Sequence, residues 1–274
     1  MRETDDGAIR YRMWYRGCFF RGRQRACAIG HASSNDGIRW RKDAAPVFVP
    51  GEADQSRRLH GLAVARAGDT YYLWYSLAPD IFGTQKHSAL YLAVSPSGLH
   101  WYEMGQVLAA TEEAPFGIEP SVLYDGSSFH LWFVDSLQNS AGGEFKAHDG
   151  APFLMHFTSA DARHWQESGR FPLHQPGGPL RLERIRVTVE TDPDSGYQAS
   201  FFEKSGARWG RLVSSDGNAW QLHLQPTPIG FLDLGLPLGN IRGATSLRTV
   251  QGALVWFEAG ERGRMQIRAG FLKD

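Results

Sequence analysis

The sequence has few cysteines, no long apolar run and no excess charge, and each of these absences excludes a class of protein. Two cysteines among 274 residues are too few for a disulfide framework. No run of about 18 apolar residues occurs, so no segment is predicted to span a membrane. The 29 basic and 29 acidic side chains cancel. This balance gives no electrostatic case for a nucleic-acid partner or an anionic membrane surface.

The two cysteines and the N-terminal segment bear on the compartment of the protein. Cys18 and Cys27 flank a turn rich in arginine and glycine over residues 21–25, and a hairpin there would bring them together. One pair is more typical of two ordinary thiols in a cytosolic protein, so we expect free thiols. The first ten residues are polar and lack the apolar segment of a secretory signal. We therefore predict a cytoplasmic protein, with secretion left open if a leader precedes the first residue.

The sequence is rich in turns and aromatic side chains, and these recur as an internal repeat. A box of the type Ser-x-Asp-Gly-x-x-Trp recurs at intervals of about 60 residues. A short aromatic strand precedes each box, and a fifth aromatic strand follows the last one. The boxes end at Trp40, Trp101, Trp165 and Trp220, and the aromatic strands cover residues 11–15, 71–75, 129–133, 197–202 and 253–257.

The second repeat shows how one unit is built. Strands are predicted at residues 59–66, 71–76, 88–94 and 100–105, with turns at 67–69 and 97–98. Four antiparallel strands with short turns are typical of a propeller blade, and such blades bury their apolar faces against their neighbours. The sequence therefore predicts an all-β, single-domain, five-bladed β-propeller of four-stranded antiparallel blades. The blades are expected near residues 1–45, 56–108, 117–172, 183–224 and 240–274.

The two terminal repeats are predicted to be incomplete. The first lacks most of its innermost strand, because the sequence begins just before the turn at residues 5–7. The last has strands at 241–249, 253–258 and 265–272 and no outer strand. In every repeat, the Ser or Asp of the box is expected to cap a turn, and its Trp is expected to pack between blades. Ligand contact by the box is the alternative.

The third repeat carries a family resemblance. Residues 119–126, from Glu119-Pro120-Ser121 to Asp125-Gly126, and the strand at 129–133 resemble a unit of the five-bladed glycoside hydrolases. These are the family 43 arabinanases and xylosidases, the family 32 fructosidases and the family 130 mannoside phosphorylases. The resemblance covers nearly the whole chain as a blade rhythm. It implies a site in the central funnel, where the innermost strands of successive blades begin.

The resemblance also implies catalytic roles. Glycoside hydrolysis needs a carboxylic acid that protonates the leaving oxygen and a second carboxylate that activates water or attacks the sugar. Glu119 matches the position of the general acid of these families. Their base is the Asp of an Asp-Pro pair on blade 1, and this sequence has no match for it. The auxiliary Asp of blade 2 falls near His60, and Asp135 is the nearest substitute for the missing carboxylate. The predicted catalytic residues are therefore Glu119, Asp135 and His60.

A second group of residues is predicted to bind the substrate. Arginines that converge on one site favour an anionic ligand, because the guanidinium group binds carboxylate or phosphate with two hydrogen bonds. The alternative is a buried network in which these arginines pair with Glu119, Glu183, Glu203 and Glu258. The ends of the second strands would contribute Arg16 and Ser76 as well. The predicted substrate-binding residues are Arg58, Arg184, Arg186, Arg242, Glu203, Glu258 and Trp14.

Three functional hypotheses follow from these patterns. The first is a glycosidase that acts on a small or oligomeric carbohydrate with Glu119 as its acid. The second is a phosphorylase or another transferase that uses the arginines for phosphate or an acidic sugar. The third is a propeller that binds a glycan or a protein without catalysis. No metal or cofactor motif is present, so no cofactor is predicted, and the sequence does not indicate an oligomeric state.

Overall fold

The computed structural model describes most of the chain as β-structure. The strands named below are the regular elements within the described part of the chain, and no helix occurs there. None of the described residues belongs to a helix that would be long and apolar enough to cross a membrane. The described residues are 1–5, 8–21, 24–51, 57–79, 88–109, 119–135, 153–175, 178–179, 187–192, 196–203, 208–225, 241–249, 252–259 and 266–272.

Four sheets have four antiparallel strands each, and within each sheet the strands lie side by side in chain order. The first blade consists of β1 (Arg2–Asp5), β2 (Ala8–Arg21), β3 (Gln24–Ser34) and β4 (Arg41–Lys42). The second consists of β5 (Arg57–Ala67), β6 (Thr70–Pro79), β7 (Ala89–Ser95) and β8 (Tyr102–Ala109). The third consists of β9 (Ser121–Tyr124), β10 (Phe129–Asp135), β11 (Phe153–Ser159) and β12 (Gln166–Pro172).

The rest of the described chain forms one more blade and two smaller sheets. A ribbon of two short strands, β13 (His174–Gln175) and β14 (Gly178–Pro179), follows the third blade. The fourth blade consists of β15 (Val187–Asp192), β16 (Gly196–Glu203), β17 (Arg208–Ser214) and β18 (Gln221–Gln225). The last sheet has three strands, β19 (Ile241–Thr249), β20 (Gly252–Ala259) and β21 (Gln266–Leu272).

Two parts of the predicted architecture need correction. Within the described residues there are four blades of four strands rather than five blades, and the fifth repeat forms the three-stranded sheet β19–β21, close to the three strands predicted for it. The first blade is not incomplete, because residues 2–5 form its first strand and pair with residues 8–11 of β2. The segment is short and polar, so no apolar alternation marks it as a strand in the sequence.

The chain divides into two compact units. The first contains the first two blades and part of the third. The second contains the remainder of the third blade, the fourth blade and the three-stranded sheet. In the first unit the core lies between the first two blades, where Ile29, Leu59, Leu73 and Tyr75 are buried against one another.

A buried tryptophan joins each of the first three blades to the next one. It stands on the second strand of its blade, and its indole N–H donates to a backbone carbonyl in the box of the following blade. The accepting residue has a positive φ, which is 72° at Gly98, 68° at Ala162 and 76° at Gly217. The bonds run from Trp14 to Gly98 at 2.8 Å, from Trp74 to Ala162 at 3.1 Å and from Trp132 to Gly217 at 3.0 Å.

The boxes themselves cap turns, which confirms their predicted structural role. In the first box, the Ser34 hydroxyl accepts from the backbone N–H of Gly37 at 2.8 Å, and the Asp36 carboxylate accepts from Ile38 and Arg39. These donors hold the pKa of Asp36 below its usual range. Ser159 with Asp161 and Ser214 with Asp216 repeat this arrangement in the third and fourth blades.

The expectation of two free thiols is wrong. Cys18 on β2 stands directly opposite Cys27 on β3, and their sulfur atoms form a disulfide. The strands β2 and β3 extend well beyond the aromatic segment at residues 11–15, and this length carries the hairpin out to the two cysteines. The disulfide closes a short hairpin between two residues nine positions apart in the sequence.

Replacing both cysteines by serine is expected to lower the free energy of unfolding by about 2–3 kcal/mol. Closing a loop of this length reduces the entropy of the unfolded chain by roughly that amount. Urea denaturation of the double variant and of the native protein, with and without dithiothreitol, checks this. The native protein in reductant should match the double variant, and a reductant effect on both proteins alike would contradict a role for this pair.

A buried charge network lies between the first two blades. The Arg12 guanidinium donates through Nε to His31 Nε2 at 3.1 Å and through Nη2 to the Ser97 carbonyl at 2.8 Å. Because Nε2 accepts, the proton of neutral His31 sits on Nδ1 and is donated to Asp43 Oδ2 at 2.9 Å. Burial lowers the pKa of His31, and nearby Arg12 adds to this, although Asp43 opposes the shift. His31 is therefore held neutral beside a cation.

Acidification is expected to destabilise the protein through His31. The folded-state pKa lies below the unfolded value of about 6.5, so the unfolded chain binds the proton first. The contribution of neutral His31 to the free energy of unfolding is fully present above about pH 6.5. It falls as the pH drops toward the folded pKa, by at most about 1.4 kcal/mol per pH unit for one proton. Urea denaturation of the native protein and of His31→Gln between pH 5 and 7.5 measures this. The variant should show a shallower pH dependence, and parallel curves would contradict the assignment.

Candidate functional site

Glu119 stands directly before the first strand of the third blade. It is half-buried, and Pro120 separates it from β9. Within the first unit, β9 packs beside β5, the first strand of the second blade. We use the term mouth edge for the edge of a sheet at which its first strand begins and its second strand ends. Glu119 therefore lies at the mouth edge of the third blade, as the sequence predicts.

His60 lies in a β-bulge at the mouth edge of the second blade. The regular register between β5 and β6 pairs Leu59 with Leu77 and then resumes with Leu62 opposite Tyr75. His60 and Gly61 are therefore the two residues that face the single residue Ser76. His60 is half-buried, and its Nε2 atom is buried. Bulges interrupt the ladder and redirect side chains, and they are common beside active sites.

Two side chains hold this bulge. The Ser76 hydroxyl, which is fully buried, accepts from the backbone N–H of Gly61 at 2.9 Å and lies 3.4 Å from its carbonyl oxygen. The Arg16 guanidinium reaches across from β2 of the first blade. Its Nη1 donates to the carbonyl of Leu59 at 3.2 Å and to that of His60 at 2.8 Å. The backbone around His60 is thus fixed from its own blade and from the preceding one.

The same irregularity recurs in the three-stranded sheet. There the register between β19 and β20 shifts between Ile241 and Gly243, so Arg242 is the extra residue of a bulge. Gly243 pairs with Glu258, and Ala244 pairs with Phe257. Counted from the aromatic residue that follows the strand tryptophan, Arg242 occupies the register position of His60. In the sequence this equivalence appears as Leu-His-Gly near the start of β5 and Ile-Arg-Gly at the start of β19, and the shared bulge explains the similarity.

The other predicted residues have defined backbone positions. Asp135 ends β10, and Glu203 ends β16. Glu203 pairs with Arg208, and Arg58 on β5 pairs with Ala78. Asp135 therefore stands at the mouth edge of the third blade and Glu203 at that of the fourth. Arg184, Arg186 and Glu183 lie outside the described residues.

Trp14, a predicted substrate-binding residue, is placed by the structure in the packing between the first two blades. Its ring is buried, and its indole N–H is bonded to Gly98. It contacts Tyr71 and Trp101 edgewise or at a tilt, and the Arg12 guanidinium lies 4.8 Å from its centroid. These contacts account for its burial through packing.

In the first unit, Glu119, His60 and Arg16 thus supply a carboxyl group, an imidazole and a guanidinium group from three successive blades. The carboxyl group of Glu119 is suited to proton transfer. The imidazole of His60 is suited to proton transfer or to hydrogen bonding with a substrate, and Arg16 supplies a permanent positive charge. Within the described part of the chain, no group of three or more His, Cys, Asp or Glu side chains is arranged to hold a metal ion.

Comparison with known proteins identifies the fold. No protein-family model and no curated protein matches the sequence. Solved structures do match, and they are β-propellers of the glycoside hydrolase type. An exo-1,5-α-L-arabinanase from a bovine ruminal metagenomic library is 13% identical with a TM-score of 0.57, over 98% of this chain and 90% of that one. The chain is thus an all-β propeller with four-stranded antiparallel blades.

Two further structures extend this similarity. One structure comes from a study of the GH130 family of mannoside phosphorylases, a family that contains glycoside hydrolases that target β-1,2 mannosidic linkages in Candida mannan. It is 13% identical to this chain, with a TM-score of 0.59. It matches over 98% of this chain and 82% of that one. The Bombyx mori GH32 β-fructofuranosidase is 12% identical with a TM-score of 0.62. It matches 93% of this chain, which spans only 53% of that enzyme.

Proposed function

We propose that the chain is an enzyme that cleaves a glycosidic bond, with Glu119 as the general acid. The observation that carries this proposal is the position of Glu119, which only Pro120 separates from β9, a strand that packs beside β5, in a fold shared with glycosidases. The residue is half-buried and is followed directly by Pro120, the residue before β9. Such placement suits a group that must meet one oxygen of the substrate with fixed geometry.

The second catalytic group is proposed to be Asp135, assisted by His60. Asp135 ends β10, the second strand of the third blade, and a carboxylate is the usual partner of the acid in this chemistry. His60 contributes an imidazole at the neighbouring blade, where it can bind a sugar hydroxyl or share a proton. Arg58, Arg242, Glu203 and Glu258, with Arg184 and Arg186, are proposed to contact the substrate.

Cleavage by phosphate is the second candidate function. It is favoured by basic side chains at the described mouth edges, where Arg16 and His60 lie together in the first unit and Arg242 occupies the matching bulge in the second. Guanidinium groups bind phosphate with two hydrogen bonds. In a phosphorolytic reaction a phosphate oxygen takes the place of water as the nucleophile, and the product is a sugar phosphate.

A panel of aryl glycosides tests both functions. The native protein is incubated with aryl arabinosides, xylosides, fructosides and mannosides, with and without inorganic phosphate, and released phenol and sugar phosphate are measured. Release without phosphate supports hydrolysis, and release that requires phosphate supports phosphorolysis. No release with any substrate contradicts both enzymatic functions and leaves a propeller that binds a glycan or a protein.

We also propose that the protein works in an oxidising compartment. The disulfide between Cys18 and Cys27 would persist there, whereas cytosolic reductants keep most thiols reduced. Alkylation of the denatured protein without reductant, followed by intact-mass measurement, tests this in cells that produce it naturally. Two alkylated cysteines would contradict the proposal and would support the cytoplasmic location expected from the sequence.

A further inference from the structure

The bulge at His60 leaves backbone groups that the sheet does not pair. Between Leu59 and Leu62 the regular register of β5 with β6 is interrupted. Buried backbone carbonyls and N–H groups need other partners when a ladder is broken, because leaving them without one costs free energy. The Arg16 guanidinium donates to the carbonyls of Leu59 and His60, and the Ser76 hydroxyl accepts from the N–H of Gly61.

The two supporting residues occupy equivalent places in their blades. Arg16 lies two residues after Trp14 on β2, and Ser76 lies two residues after Trp74 on β6. The serine holds the first strand of its own blade, whereas the longer arginine reaches the first strand of the next blade. Trp14 joins the same two blades through its bond to Gly98, so Arg16 adds a further connection between them at the mouth edge of the second blade.

We propose that Arg16 is a positioning residue for His60, and this inference rests on the proposed function of the site. Its guanidinium fixes two successive carbonyls, which sets the direction of the peptide planes on both sides of the His60 side chain. Arginine suits this task because it stays charged and offers several N–H groups in one plane. Lysine keeps the charge but presents it as a single point, so it should replace the function only in part.

The test uses the whole protein with four variants. Arg16→Met removes the bonds to both carbonyls, and Arg16→Lys keeps the charge. Ser76→Ala weakens the bulge from the other side and serves if Arg16→Met does not fold. The matched control is Arg66→Met, because Arg66 likewise donates to a backbone carbonyl, that of Gly68 at 2.9 Å, but is exposed at the end of β5 opposite to His60.

Two readouts are combined. With the best aryl glycoside of the panel, Arg16→Met should lower kcat about 10- to 100-fold with KM changed less than about threefold, since a displaced group costs rate more than binding. Arg16→Lys should recover part of the loss, and Arg66→Met should match the native protein. Independently of turnover, the ring NMR signals of His60, assigned with His60→Gln, should shift in Arg16→Met and Ser76→Ala and stay in place in Arg66→Met.

The outcomes separate this inference from the proposed function. An unchanged His60 ring signal in Arg16→Met and Ser76→Ala overturns the positioning role, whatever the activity. A normal kcat in folded Arg16→Met overturns it as well. If the native protein turns over no glycoside but the His60 signal shifts as expected, the proposed function fails and the positioning of His60 by Arg16 stands.

Discussion

Trp74→Ala is expected to lower the free energy of unfolding by about 3–5 kcal/mol, the range typical of removing a fully buried tryptophan. Trp74 is fully buried, and its ring packs edgewise on Phe129 and Trp165 of the third blade. Its indole N–H also donates to the Ala162 carbonyl. The substitution therefore removes apolar contact, leaves a cavity and breaks a hydrogen bond between two blades at once.

A graded series separates these effects. Trp74→Phe keeps most of the ring but leaves the Ala162 carbonyl without its indole donor, so we expect a loss of about 1–3 kcal/mol. Tyr102→Ala, which removes an exposed aromatic side chain of the same blade, should stay within about 0.5 kcal/mol of the native protein. Urea denaturation gives all three values. A Trp74→Ala protein as stable as Tyr102→Ala would contradict the role of this contact.

The equivalent contact between the first two blades, from Trp14 to Gly98, offers an independent check on its accepting side. An alanine Cβ at Gly98 would come within 2.8 Å of the Trp14 ring, whereas at Gly68, which also has a positive φ, it would meet nothing within 4 Å. Gly68→Ala should lower the free energy of unfolding by about 1–2 kcal/mol, because alanine is strained in the left-handed backbone conformation. Gly98→Ala should lower the free energy of unfolding by roughly a further 1–3 kcal/mol, because the new methyl group would overlap the Trp14 ring. Equal losses in the two variants would show that the backbone conformation alone is responsible.

Glu119→Gln is expected to reduce kcat/KM for glycoside cleavage by about 10²–10⁴-fold. Glutamine has nearly the same size and can still form hydrogen bonds, but it cannot donate a proton to the leaving oxygen, and general acid catalysis commonly contributes that factor. Substrate binding should change much less, so most of the loss should appear in kcat. Steady-state kinetics on the best substrate of the aryl glycoside panel measures both parameters.

The matched control for this loss is Asp69→Asn. Asp69 is a fully exposed carboxylate in the turn between β5 and β6, at the end of the blade away from Glu119, and contacts only Arg66 in the described part of the chain. Its replacement should leave kcat/KM unchanged. Urea denaturation of both variants shows whether the fold is preserved. Full activity in folded Glu119→Gln would rule out the general acid role.

The sequence predicts the blades well where local patterns carry the information. Strands predicted at residues 71–76 and 88–94 lie within or nearly coincide with β6 and β7, because apolar alternation between Gly-containing turns fixes both their type and their limits. The capping role of the boxes follows from the same local chemistry, since Ser and Asp accept from N–H groups only two or three residues away.

Features that depend on register or on distant contacts escape this kind of prediction. The disulfide requires Cys18 and Cys27 to stand opposite each other at the far end of a long hairpin, which composition does not reveal. The bulge at His60 is held by Arg16, whose bond to the His60 carbonyl joins residues 44 positions apart. Ala162 adopts a left-handed φ of 68° where its equivalents are glycines, and only the box alignment hints at it.

The general acid role of Glu119 is tested most directly by the leaving group. Native protein and Glu119→Gln are compared on two glycosides of the same sugar, one with a 2,4-dinitrophenyl group and one with an alkyl group. The dinitrophenolate leaves without a proton, so the variant should retain its rate within about tenfold, whereas cleavage of the alkyl glycoside should fall by at least about 10²-fold. An equal fall on both substrates, or no fall on either, would contradict proton donation by Glu119.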